Sequence, residues 1–225
     1  MRNLFDFLEH RPAMPTDETT LAAFDATFDA AVAAGGAIDY RLAAPRWQFI
    51  CHIADTRPVV LHGSGNPAIG RFEPRQPEDT TEFGNRNAVY AASDGLWPMY
   101  FAILDRDRYP MTLINSAIRP IGPNGDLGEQ RYFFSICDTA LAASPWRRGT
   151  LYFLPRDTFE PQPAVELNGN RAVILQWASA EPVTPLARIA VGPEDFPLLD
   201  RIRGHDREST FARARAEPEA FPWID

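Results

Sequence analysis

The sequence has 225 residues, of which 45% are hydrophobic and 23% charged, a composition that excludes disordered and fibrous proteins and predicts a single domain over residues 1–225. Its 30 acidic and 22 basic residues give a net charge of −8, so no overall positive field is available to hold nucleic acid. All the basic residues are arginine, and the lack of lysine excludes Schiff-base and lysine-nucleophile mechanisms.

The few cysteines and histidines predict neither a disulfide framework nor a metal site. Cys51 and Cys137 allow at most one bridge, and we interpret them as reduced, buried thiols. His10 and His52 have no metal-ligand spacing with another histidine or cysteine. Residues 1–6 lack the apolar segment of a secretory signal, and no stretch approaches the roughly 20 apolar residues of a membrane span. A cytoplasmic, non-membrane protein is predicted.

The first 56 residues predict a helical extension. One helix, capped by Thr16 or Asp17 and stopped at residues 35–36, is indicated by apolar residues three and four positions apart: Leu21, Phe24, Phe28 and Val32. A shorter helix follows Pro45 and ends near Thr56.

From residue 57 onward, short apolar runs alternate with Gly, Pro, Asn and Asp, which is typical of strands and turns. Strands are predicted at residues 58–61, 88–91, 111–116, 132–136, 150–154, 172–177 and 186–191. Helices are predicted at residues 94–104 and 193–203, with Gly204 as the stop of the second. Many strands with few helices favour an α+β fold, with core residues 57–205 and a surface tail at residues 206–225.

The first chemical motif is the run His62-Gly63-Ser64-Gly65, which follows a buried strand. A glycine-rich turn at a strand end allows a ligand to approach the backbone closely. The run is not a Rossmann fingerprint, because prolines prevent the helix that would face a pyrophosphate. It also lacks the GxSxG spacing of a serine-hydrolase elbow.

A second motif combines two tyrosines that could enclose a flat ligand. Tyr90 lies on a predicted strand, and Tyr100 lies on the helix that follows it. Either ring alone is more often a core or rim residue.

These motifs together resemble the ADP-ribosyltransferase fold family, in the His-Tyr-Glu branch of the poly(ADP-ribose) polymerases and diphtheria-type toxins. The run from Leu61 to Arg106 is also similar to uncharacterised bacterial proteins, through the segments HGS, FEPRQ, FGN, AVYAA, DG and WPMYFAI. The resemblance implies split mixed or antiparallel sheets with a few helices, preceded by the helical extension. It also implies NAD as substrate, without a metal.

The resemblance assigns roles to the residues that match its motifs. His62 would hydrogen-bond a ribose hydroxyl of NAD, and the backbone of Gly63 would pair with the nicotinamide carboxamide. Ser64 would add a polar contact, while Tyr90 and Tyr100 would stack on the nicotinamide ring. Stacking a cationic pyridinium on aromatic faces contributes about 1–2 kcal/mol when desolvated.

At the third signature position the sequence departs from the family. The catalytic glutamate falls on Gln176, which can hydrogen-bond but carries no negative charge to stabilise an oxocarbenium-like transition state. Glu181 is the alternative, although it falls beyond the predicted strand.

Arginines after the histidine motif are candidates for the NAD pyrophosphate. Arg71 and Arg75 could bind it by bidentate hydrogen bonds. They could equally form surface ion pairs with Glu73, Glu78 or Asp79.

His205-Asp206 resembles a charge-relay pair, but without a nearby nucleophile we expect a solvated or capping role.

The sequence therefore predicts an NAD-dependent ADP-ribosyltransferase-like glycosyltransferase, or an NAD glycohydrolase, that transfers ADP-ribose to an unknown acceptor or to water. A protein or small-molecule acceptor is favoured over nucleic acid. One alternative is a non-catalytic NAD- or ADP-ribose-binding module. Another is an RNA 2′-phosphotransferase-like enzyme, which the acidic composition disfavours.

Overall fold

The computed structural model describes residues 7–77, 81–167 and 169–224. The N-terminal hexapeptide and the predicted ion-pair partners Glu78 and Asp79 lie outside these ranges. Among the described residues, no helix is both long enough and apolar enough to cross a membrane.

The predicted N-terminal helices are confirmed. Helix α1 spans Glu18–Ala33, and Asp17 caps it by accepting a hydrogen bond from the backbone N–H of Thr20 at 2.8 Å. Helix α2 spans Arg46–Thr56. The glycines at 35 and 36 have φ values of 94° and 89°, a left-handed backbone that stops the first helix.

The remaining described chain is α+β, as predicted, with three further helices: α3 at Leu96–Ile103, α4 at Asp138–Ala142 and α5 at Arg207–Ala216. The first sheet has the order β1-β5-β4-β9-β8, and β12 pairs with β5 in parallel. Its strands are β1 (Glu9–His10), β4 (Leu113–Pro120), β5 (Arg131–Cys137), β8 (Val165–Leu167), β9 (Asn170–Ile174) and β12 (Arg203–His205).

The second sheet is antiparallel, with the order β11-β6-β2-β3-β10-β7. Its strands are β2 (Val59–Ser64), β3 (Val89–Ala92), β6 (Gly149–Pro155), β7 (Glu160–Pro161), β10 (Gln176–Ser179) and β11 (Ala187–Val191). The main hydrophobic core joins one face of each sheet to α1, α2 and α3. Cys51 and Cys137 are free and buried, as predicted.

Two predicted elements are wrong in the C-terminal half. The expected strand at residues 172–177 is two strands in different sheets, because the chain leaves β9 at Ile174 and enters β10 at Gln176. The expected helix at residues 193–203 is two short 3₁₀ turns, Pro193–Asp195 and Leu199–Arg201, followed by β12, which includes Gly204. The predicted surface tail contains helix α5, most of whose residues are exposed.

The expected role of His205-Asp206 is half correct. Asp206 caps α5 by accepting from Ser209 N at 2.9 Å, but His205 is only 4% exposed and belongs to β12.

Candidate functional site

The histidine motif lies at the end of a central strand. Val59, Val60 and Leu61 are buried, as expected for apolar residues between two neighbouring strands. His62 follows them and is half-buried, with its ring centroid 4.7 Å from that of Phe72. The strand therefore brings the imidazole from the core to the surface.

One ring nitrogen of His62 is fixed and the other is open. Nδ1 lies 2.7 Å from the carbonyl oxygen of Tyr90. Since a carbonyl only accepts, Nδ1 carries the proton and donates it, which leaves the lone pair of a neutral ring on Nε2. Among the described residues Nε2 has no hydrogen-bond partner, and it is in contact with solvent. The ring presents an acceptor to any ligand.

The electrostatic environment keeps this imidazole neutral. Burial is the main cause that lowers the pKa of His62, and the charges of Arg106 and Arg75 lower it further. The hydrogen bond to Tyr90 raises the pKa but does not offset these effects. Near pH 7 the acceptor form dominates.

A gap opens between β2 and β3 beside the histidine. β2 pairs with β6 along its full length, from Val59 to Ser64. In contrast, β2 pairs with β3 at one position, where Leu61 is opposite Ala92. The backbone groups beyond Leu61 thus lie where the two strands separate.

The peptide groups of Gly63 face this gap. Ser93 donates its N–H to Leu175 O on the β10 side, so the alternating residue Ala92 directs its peptide groups towards β2. Leu61 is opposite Ala92, and Gly63, two residues further on, faces the same way as Leu61. Gly63 can offer one N–H and one C=O to a ligand.

Helix α3 packs directly on Gly63. A Cβ built at this glycine would lie 1.8 Å from the carbonyl oxygen of Pro98 and 3.0 Å from Ala102 N, so only glycine fits. The buried Asp94 lies two residues before α3, and its Oδ1 accepts from the N–H of Leu96, the first residue of the helix, at 2.7 Å. This contact fixes the distance between α3 and the strand end.

The expected aromatic sandwich of Tyr90 and Tyr100 is wrong. Tyr100 is 0% exposed, its hydroxyl donates to Ser135 O at 3.1 Å, and its ring centroid is 4.7 Å from that of Phe134. Desolvation raises the pKa of Tyr100. The ring is a core residue and is not available to a ligand.

The next residue of α3 has a more suitable position. Phe101 is half-buried and directly precedes Ala102, whose backbone nitrogen lies close to Gly63. Arg106 lies over its ring, with Cζ 5.8 Å from the centroid. Sequence analysis missed both residues, because the apolar α3 has no polar stripe to indicate which ring faces outward.

Tyr90 and Gln176 share one face of the second sheet. Tyr90 is opposite Ala178 and Gln176 is opposite Ala92, and directly opposed residues point to the same side. Leu61, also opposite Ala92, belongs to this face, so His62 belongs to the other one. His62 reaches Tyr90 only through the backbone carbonyl at the gap.

Within the described residues, the Tyr90 hydroxyl is hydrogen-bonded, whereas the Gln176 amide is not. The Tyr90 hydroxyl donates to Phe83 O and accepts from Arg86 N, both at 2.8 Å, and so holds the preceding loop. The side-chain amide of Gln176 has no hydrogen-bond partner in the described part of the chain. Glu181 is exposed and lies beyond the end of β10, as predicted.

The contacts of Ser64, Arg71 and Arg75 show which of these candidates is available to a ligand. Ser64 Oγ accepts from Asn66 N at 3.1 Å and shapes the turn. Arg71 forms an exposed ion pair with Glu73, with 3.0 Å between Nε and Oε1, which is the surface alternative. Arg75 is exposed and has no ion pair within the described ranges. Arg75 is therefore the better candidate for an anionic group.

None of the protein-family models, curated proteins or solved structures compared with this chain matches it significantly.

Proposed function

We propose that this protein is an NAD-dependent ADP-ribosyltransferase-like protein, with an ADP-ribosyltransferase-like fold in residues 57–205. The observation that carries the proposal is the order of strands in the second sheet. The histidine, tyrosine and third signature positions lie on β2, β3 and β10, which are neighbours in that order. The resemblance requires these three motifs to act on one ligand. Tyr90 and Gln176 share a face of the sheet, and His62, on the opposite face, reaches the same ligand only at the gap between β2 and β3.

In this proposal the gap between β2 and β3 receives the nicotinamide riboside part of NAD. Gly63 pairs with the carboxamide through its N–H and C=O, and Tyr90 stacks on the pyridinium ring. Phe101 replaces the buried Tyr100 as the second aromatic. His62 Nε2 accepts a hydrogen bond from a ribose hydroxyl, because its only ring proton is engaged by Tyr90 O.

The proposed reaction breaks the bond between the nicotinamide nitrogen and ribose C1′. The electron pair of that bond leaves with nicotinamide, which becomes neutral, and C1′ gains oxocarbenium-like charge. The oxygen of water or of a protein or small-molecule acceptor then bonds to C1′ and loses its proton. Gln176 Oε1 would accept from a ribose hydroxyl in the transition state, without the charge that a carboxylate would add.

Substitution of His62 tests the site. We expect His62→Ala to abolish NAD binding measured by calorimetry while circular dichroism and thermal unfolding stay close to wild type. The matched control is His10→Ala, since the His10 side chain is 64% exposed and lies on the first sheet. Unchanged NAD affinity in His62→Ala would overturn the assignment.

The neutral Gln176 favours a second candidate, a module that binds NAD or ADP-ribose without turnover. Incubation with nicotinamide-labelled NAD distinguishes the two, because only an enzyme releases free nicotinamide. Gln176→Glu sharpens the test. A gain of nicotinamide release in this variant would support a role for position 176 at the reacting ribose, whereas binding without release in both proteins would support the binding module.

A further inference from the structure

A second glutamine lies beside Gln176. Gln162 is 6% exposed although the prolines on both sides of it are exposed, so its side chain points into the protein. Its Oε1 is buried and has no hydrogen-bond partner. A buried carbonyl oxygen without a donor is destabilising, which indicates that a donor belongs there.

The register of the second sheet identifies the nearest donor. Pro161 of β7 is opposite Trp177 of β10, and the next pair in this ladder is Gln162 and Gln176. The backbone supports the pair, because Gln162 N donates to Gln176 O at 2.9 Å. Directly opposed side chains share a face, with Cβ atoms about 4.5–5.5 Å apart. The two amides are within reach of each other.

Each amide lacks what the other can supply. Gln162 Oε1 needs a donor, and the amide of Gln176 has none of its hydrogen bonds satisfied by the described protein residues. We propose that Gln162 Oε1 accepts a hydrogen bond from Gln176 Nε2 in the ligand-bound protein, and that this bond turns Gln176 Oε1 towards a ligand hydroxyl.

This pairing makes Gln162 a positioning residue. An unrestrained glutamine amide can present either its oxygen or its NH₂ to a ligand. With Nε2 held by Gln162, only the oxygen remains, and the site selects a ligand group that donates, as a ribose hydroxyl does. The identity of that ligand rests on the proposed function, whereas the orientation of the amide rests on the register of β7 and β10.

The test compares two substitutions at position 162. Gln162→Leu keeps the approximate volume and removes the acceptor, so we expect NAD binding by calorimetry to weaken about tenfold, the upper range of one hydrogen bond. Gln162→Glu keeps an acceptor and should bind NAD within about threefold of wild type. Gln48→Leu, the same change on α2, is the matched control and should leave binding unchanged.

A second measurement reports on position 176 directly. The side-chain amide resonance of Gln176 is assigned by its loss in Gln176→Glu, and its hydrogen exchange is followed with and without NAD. We expect NAD to slow this exchange about tenfold in wild type and in Gln162→Glu, but not in Gln162→Leu. A merely structural role of Gln162 would not produce that pattern. If Gln162→Leu fails to fold, slowed exchange in wild type and in Gln162→Glu supports the proposal.

The outcomes separate the two proposals. If wild type binds NAD, either of two results overturns the role of Gln162 while the NAD site stands. One is that Gln162→Leu binds NAD as tightly as wild type. The other is that the Gln176 amide of NAD-bound wild type exchanges at the rate of a free glutamine. If wild type binds no NAD at millimolar concentration, the proposed function and the role of Gln162 fall together.

Discussion

Two histidines stand next to glycines at strand ends in different sheets, and the comparison separates a candidate site from a structural feature. His62 on β2 has one ring nitrogen bonded and one open. His205 on β12 has both engaged, with Nδ1 2.7 Å from Ser135 Oγ and Nε2 3.0 Å from Thr112 Oγ1. A histidine with both nitrogens engaged is a cross-link, whereas one with an open nitrogen can bind a ligand.

A cavity lies beside the structural histidine. A cavity of about 390 Å³ is lined by His205, Asp206, Arg203 and residues of α5. No side chain there combines burial with an unsatisfied polar atom among the described residues. A cavity alone therefore does not identify a binding site, and the end of β2 differs from this cavity in having a histidine with one open ring nitrogen.

The glycines next to the two histidines, Gly63 and Gly204, give the largest expected difference in the free energy of unfolding. A Cβ at Gly63 would lie 1.8 Å from the backbone oxygen of Pro98, which cannot move without displacing α3. A Cβ at Gly204 would lie 2.0 Å from Asp138 Oδ1, the end of a side chain that can rotate away. We expect Gly63→Ala to lower the free energy of unfolding by about 3 kcal/mol or more, and Gly204→Ala to cost well under half of that.

Urea denaturation of the two alanine variants measures this difference. Equal losses in both would show that α3 does not press on Gly63 as closely as its Pro98 contact indicates.

The capping aspartates of the two regions should respond to pH in opposite directions. Burial raises the pKa of Asp94 to about 6, despite its hydrogen bonds from Leu96 and Trp97 N–H. The exposed Asp206 has its pKa lowered by the backbone N–H and the hydroxyl of Ser209. Asp94 is therefore the carboxyl that binds a proton more tightly in the folded state, and Asp206 is the one that binds it more weakly.

The direction in which each aspartate changes the free energy of unfolding with pH follows from the linkage between proton binding and folding. The contribution of Asp94 is present below pH 3.8 and is lost as pH rises through about 6, so between pH 4 and 7 wild type should lose on the order of 3 kcal/mol relative to Asp94→Asn. The contribution of Asp206 is present above its ordinary pKa and is lost as pH falls. Unfolding of wild type and both asparagine variants at pH 2.5, 4, 5.5 and 7 checks this. The difference between wild type and Asp94→Asn should change above pH 4, and the difference between wild type and Asp206→Asn only below it. A constant difference between wild type and Asp94→Asn from pH 4 to 7 would contradict the first expectation.

The histidines themselves give the smallest expected effect on stability and the clearest functional contrast. His205→Ala leaves the hydroxyls of Ser135 and Thr112 without their partner, so we expect a loss of about 2 kcal/mol in the free energy of unfolding. NAD affinity of the folded variant should stay unchanged, opposite to His62→Ala. A loss of NAD binding in His205→Ala at a temperature where it is folded would move the site to the other end of the molecule.

Local patterns in the sequence predicted α1, α2 and most strands, because their signals act over neighbouring residues. Apolar spacing and an Asp17 cap define α1, and a buried run ending in His62-Gly63 defines β2. The same local signals failed between Ile174 and Gln176, where a continuous apolar run is divided between two sheets. Which sheet a strand joins depends on distant partners that the run itself does not encode.

The candidate site divides in the same way. The sequence by itself determined its residue types: an arginine-only basic set, the His62-Gly63 turn, and a glutamine at position 176. Only the tertiary structure decided which groups are available, because burial and hydrogen bonding depend on contacts between residues far apart in the chain. It buried Tyr100, left Phe101 half-buried on the same helix, and placed Gln162 beside Gln176.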